Sequence, residues 1–132
     1  PSATACISQF PLAAMKVLGV ALVHAEGRLL ARAADASLEL SAMAMVASNA
    51  LADLRSAQLH LASGQHVEEV VISVSGLCYV IKPLATRSDA FVLLAFNPRD
   101  TSLAIRRGDL ESLAKTLEQS WQTSPTVIPA RA

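Results

Sequence analysis

The spacing of apolar residues changes along the chain, and each change marks an element. Residues 1–14 mix Ser, Thr and Ala with Ile7, Phe10 and Leu12 as the large apolar groups. Pro11 limits any helix there to a short one that ends before it or starts at it. Residues 17–24 then form a β-branched run of strand length, apolar on both faces. Ala25, Glu26 and Gly27 read as a tight turn, with Gly27 free to take positive φ, and residues 28–34 return as a second strand. From residue 37 to residue 62 neither Gly nor Pro interrupts the chain, Asp35 or Ser37 is placed to cap the first amides, and Gly64 stops the run. This predicts a helix about 39 Å long.

Downstream, residues 67–75 alternate as a strand, Ser75 and Gly76 punctuate a hairpin, and residues 77–82 return before Pro83. Arg87, Ser88 and Asp89 turn the chain into a third consecutive strand, 90–96. Asn97 to Asp100 breaks the pattern and offers Asp100 or Thr101 as a cap. A last helix carries Leu103, Leu110, Leu113, Ala114, Leu117 and Trp121 on one face, with Gly108 as its weak point. The element order is β-β-α-β-β-β-α. It predicts an α+β domain, a five-stranded antiparallel sheet with one long helix between strands 2 and 3. The organisation reads as a short N-terminal segment (1–14), one domain (15–122) and a flexible C-terminal tail (123–132).

The long helix carries more apolar surface than one sheet needs. Leu40, Met43, Ala47, Ala50, Leu51, Leu54 and Leu61 form one stripe, suited to the domain's own sheet. Leu38, Ala42, Met45 and Val46 lie beside it, and Glu39, Asp53 and Arg55 are the charges within the span. The second stripe is left for another surface, with the same helix of a second copy as the expected occupant.

Composition sharpens this. Hydrophobic residues make up 52% of the 132 residues and charged residues 17%, which leaves little charge to coat a monomer. No uninterrupted apolar run reaches the roughly 18 residues of a spanning helix, so membrane insertion is not expected. Eleven basic residues balance eleven acidic ones, which removes the electrostatic term behind non-specific nucleic-acid binding. Cys6 and Cys78 are far apart and outside any CxxC spacing, so reduced thiols in a cytoplasmic protein are the simpler reading. The first ten residues lack the basic-then-apolar pattern of a secretory signal, and the missing initiator Met reads as a trimmed or subcloned chain.

Taken together, the element order, the stretch Gly19-Val20-Ala21-Leu22-Val23-His24-Ala25-Glu26-Gly27-Arg28-Leu29-Leu30, the Ala-rich long helix and the closing Leu103-Ala104-Ile105-Arg106-Arg107-Gly108-Asp109-Leu110 resemble the Roadblock/LC7 domain, over about residues 17–119. The resemblance implies profilin-like layering and a homodimer or heterodimer. In it the long helices pair and the following strands join edge to edge into a ten-stranded sheet. It assigns Leu38, Ala42, Met45, Val46 and Asn49 of the helix, with Val67, Val70 and Ile72 of the next strand, to the dimer interface. It also implies a regulator or scaffold for a Ras-like small GTPase or a larger assembly. Two departures stand out: the family begins with a substantial helix where this chain has a segment broken by Pro11, and the turn has Ala25-Glu26 where the family often has acidic residues on both sides.

Little in the sequence points to catalysis. There is no GxxxxGK[ST] loop to cradle phosphates. His24, His60 and His66 have no Cys, Asp or Glu at ligand spacing that completes a zinc set. Cys78 opens an apolar strand, where a thiol is small filler. Glu68 and Glu69 alternate to opposite faces and read as the polar start of an edge strand. Arg106 and Arg107 read as a solvated face, with Arg107 paired to Glu111 across one helical turn. No catalytic residue, metal or cofactor is expected. The competing expectation is a small-molecule sensor domain with a closed apolar pocket.

Overall fold

The structure is a computed structural model that describes residues 2–35 and 38–122. Two short helices flank Pro11, α1 (Ala3–Ser8) and α2 (Leu12–Met15). They are followed by β1 (Gly19–His24), β2 (Leu29–Ala34), α3 (Leu40–Ala57), β3 (Val70–Val74), β4 (Leu77–Pro83), β5 (Ala90–Phe96) and α4 (Leu103–Gln122). The five strands form one antiparallel sheet in the order β2-β1-β5-β4-β3. The expected α+β architecture is present, with β2 and β3 as the two edges.

Alternation along the strands sorts the core into two layers. Val20, Leu22, Val80, Val92, Leu94 and Phe96 point to one face and pack with Ile7 of α1 and Leu110, Leu113, Ala114 and Leu117 of α4. Ala21, Val23, Tyr79, Ile81, Phe91 and Leu93 point to the other and pack with Leu40, Met43, Ala44, Ala47 and Leu51 of α3. β5 sits in the middle of the sheet, buried along its whole length, which is why its sequence runs apolar without alternation.

Several boundaries differ from the periodicity, each for a local reason. The helix predicted over 37–62 is α3, 18 residues and about 27 Å long. Glu39 caps it, accepting the Ser41 N–H at 2.7 Å. After Ala57 the chain tightens into a 3₁₀ turn, Gln58–His60. There the side chains of Gln58 and Gln65 accept the backbone N–H groups of Val67 (2.9 Å) and Ala62 (3.0 Å), so the helix gives way to a loop. The Val67 N–H is taken by Gln58, and β3 begins at Val70. For α4 the cap is Ser102, whose Oγ accepts the Ile105 N–H at 3.3 Å, rather than Asp100 or Thr101. Gly108 has open space around it and α4 runs through it. Ser37 as a cap, the side chain of Trp121 and the tail 123–132 lie outside the described residues.

Candidate interaction surface

The two faces of the sheet are unequally covered. Five strands span about 19 Å between the outer chains, and a helix covers a strip about 10 Å wide. Among the described residues one face carries both α1 and α4, the other only α3. The shortfall falls at the β3 edge, where Val67, Val70 and Ile72 pack against the α3-side core yet remain only half-buried.

The face of α3 turned away from the sheet carries Ala42, Met45, Val46 and Asn49, all exposed and spaced so that they adjoin on one side of the helix. Met45 is 47% exposed and Val46 48%. The stripe turns polar beyond them, at Asp53 and Ser56, so the apolar part is confined to the first half of the helix. Leu38 sits apart from this group. It precedes α3, packs against the α3-side core and lies where a Cβ on Gly19 would come within 2.6 Å of its Cδ2. From the stripe assigned to the sheet, Leu40, Met43, Ala47 and Leu51 are buried, whereas Leu54 and Leu61 are exposed because the helix has passed its packing partners.

Two contacts set the position of α3 against the β1–β2 turn. Ser48 Oγ donates to the Ala25 carbonyl, and the Met45 sulfur lies where a Cβ on Gly27 would be. Gly27 also has φ +97°, a left-handed conformation that other residues avoid.

The two sheet edges differ in kind. The register of β2 on β1 is broken by a bulge opposite Val23, and the strand carries Arg32; both devices blunt an edge. β3 reads Val-Val-Ile-Ser-Val, without charge, proline or bulge, and is closed by a two-residue turn with positive φ at Ser75 and Gly76. That turn makes Val74 and Leu77 a hydrogen-bonded pair, so by alternation Val71 and Ser73 turn their backbone groups outward along the edge. Val71 and Val74 are exposed. Periodicity could not single them out, because the choice between Val70 and Val71 depends on the turn register and on which face carries α3.

The chemistry-bearing residues fall elsewhere. Arg107 pairs with Glu69, not Glu111, through two N–H groups at 2.7 to 3.0 Å. The fork crosses from α4 to the lead-in of β3, a long-range pair invisible to helical spacing, and the Glu69 hydrogen bond raises the Arg107 pKa. Arg106 is not on a solvated face. It is 7% exposed, donates from Nη1 to the Met15 carbonyl at the end of α2, and lies 3.0 Å from Asp109. It thereby ties the N-terminal segment to α4. Cys78 is buried, and burial pushes its thiol pKa up, as filler rather than nucleophile. Arg87 and Asp89 form a two-bond pair (2.9 and 3.1 Å) that lowers the Asp89 pKa. Among the described residues no group of three or more His, Cys, Asp or Glu could hold a metal ion, and no helix is long and apolar enough to cross a membrane.

Solved structures match this arrangement, among them the following three. A Roadblock/LC7 domain from Streptomyces avermitilis is 18% identical with a TM-score of 0.69, over 82% of this chain and 88% of its own. Myxococcus xanthus MglB is 13% identical with a TM-score of 0.76, over 92% of this chain and 96% of its own. Profilin II from Acanthamoeba castellanii, 17% identical, has a TM-score of 0.60 over 89% of this chain and 98% of its own. No family model matches, and neither does any curated protein. At these identities the likeness is one of fold, and the fold is that of Roadblock/LC7 domains, with the layering of profilin.

Proposed function

We propose that the protein is a non-catalytic interaction module that works as a homodimer, and that the dimer regulates or scaffolds a Ras-like small GTPase or a larger assembly. The observation that carries the reading is the exposed apolar face of α3, on the sheet face that one helix only partly covers, together with an unprotected β3 edge. A second copy of the chain answers both at once. Its α3 covers Ala42, Met45, Val46 and Asn49, its β3 supplies partners for the outward backbone groups, and the half-buried Val67, Val70 and Ile72 fall beneath the seam. An edge as apolar as β3 is otherwise a site of uncontrolled strand pairing.

The GTPase side rests on the Roadblock/LC7 resemblance and on the fold shared with MglB. Sedimentation equilibrium at micromolar concentration tests the dimer: twice the chain mass is expected, and a clean monomer overturns it. Adding the protein to Ras-like small GTPases from the same organism, and following GTP hydrolysis and complex formation, tests the partner. If such a GTPase shows no complex with the protein and an unchanged rate of GTP hydrolysis, the GTPase half of the proposal is overturned.

A further inference from the structure

Beside that surface, and sharing Val67 with it, a cleft of about 430 Å³ opens where the end of α3, the lead-in to β3, the end of β4 and the side of α4 converge. Its walls are held by scaffold bonds: Gln58 Oε1 accepts the Val67 N–H, and Arg55 Nη1 donates to the Ser88 carbonyl at 3.0 Å. Among the described residues these leave the other Arg55 N–H groups without an acceptor. The side chains of Glu68, Lys82 and Glu111 also line the cleft, and none of them makes a hydrogen bond or ion pair among the described residues.

We propose that this cleft binds a small zwitterion of free amino acid size, its carboxylate at Arg55 and Lys82 and its ammonium at Glu68 and Glu111. The choice follows from the charges. A simple anion meets two carboxylates, a simple cation meets a guanidinium and an ammonium, and an apolar molecule desolvates all four without pairing any of them. A molecule carrying both charges satisfies both halves. The volume lies in the lower part of the range for small-molecule sites, enough for an amino acid with its side chain. The cleft is open and polar, unlike the closed apolar pocket of a hydrophobic sensor. None of its charged groups lies on the outward face of α3; Val67 of its wall also falls beneath the proposed seam, so ligand titration reports the cleft while solution mass reports the dimer separately.

The test is calorimetric titration of the full chain with free amino acids and with their N-acetylated and C-amidated forms. At least one free amino acid is expected to bind, and either cap to abolish binding. Lys82→Gln and Glu111→Gln should each weaken it about tenfold, as expected for loss of one charge-assisted hydrogen bond, with the unliganded melting temperature and the solution mass unchanged. The proposal is overturned if no amino acid binds more tightly than about 10 mM, if capped forms bind as well as free ones, or if both variants bind like the parent.

Discussion

Replacing Met45 with Glu should separate the contact between two copies from the fold of one. Met45 is 47% exposed in the single chain. Fully burying a methionine contributes about 1.5–3 kcal/mol, so covering its exposed half contributes roughly 1 kcal/mol per copy, or roughly 2 kcal/mol per dimer. A glutamate forfeits that and also brings a carboxylate into the seam in each copy, at a further cost of at least about 1 kcal/mol apiece. The total, roughly 4 kcal/mol, corresponds to a dimer dissociation constant about a thousandfold weaker. Within one copy the substitution removes only the packing against Gly27, so the melting temperature of the dissociated chain should move by less than about 5 °C. Sedimentation equilibrium across a concentration series reads the constant, and circular dichroism reads the fold. Leu40→Ala is the contrasting case, because Leu40 is fully buried: it should lower folding stability by about 2–5 kcal/mol. A Met45→Glu chain that dimerises like the parent would show that the outward face of α3 is not the seam.

Gly27→Ala combines an unfavourable positive φ with a collision against the Met45 sulfur, and should cost more than about 1 kcal/mol in chemical denaturation; Met45→Ala in the same chain should recover only the steric part. Arg106→Met leaves the Asp109 carboxylate without its cation and the Met15 carbonyl without its donor, so a loss of about 3–5 kcal/mol is expected, with α1 and α2 exchanging amide hydrogens sooner than the sheet. The Arg87 hydrogen bond lowers the Asp89 pKa. The stability it contributes is therefore complete above the ordinary aspartate value of about 3.9 and is lost as pH falls from there through the lowered value. Asp89→Asn should lower the denaturation midpoint near neutrality and shrink its fall on acidification; equal falls in both chains would refute that link.

The hydrophobic pattern alone determined the element order, the strand count and the excess of apolar surface on the long helix, because burial imposes periods of 2 and 3.6 that survive in the linear chain. It even placed Ala42, Met45 and Val46 together, since residues sharing a helix face are fixed by spacing, whereas Asn49 entered through the family resemblance. What spacing cannot carry is which partner lies across a gap. Leu38 belongs with the same helix in sequence but packs on the core beside Gly19, because α3 starts two residues after it. Glu69 captures Arg107 from 38 residues away, and Arg106, next to it, turns inward to a carbonyl of α2. Helix ends were decided by single side chains, Glu39, Gln65 and Ser102, competing for backbone N–H groups that periodicity does not register. The order of strands decided the rest. Among the described residues it left β3 at an edge and gave one sheet face two helices and the other one, an imbalance legible only in three dimensions, and the proposed contact between copies rests on it.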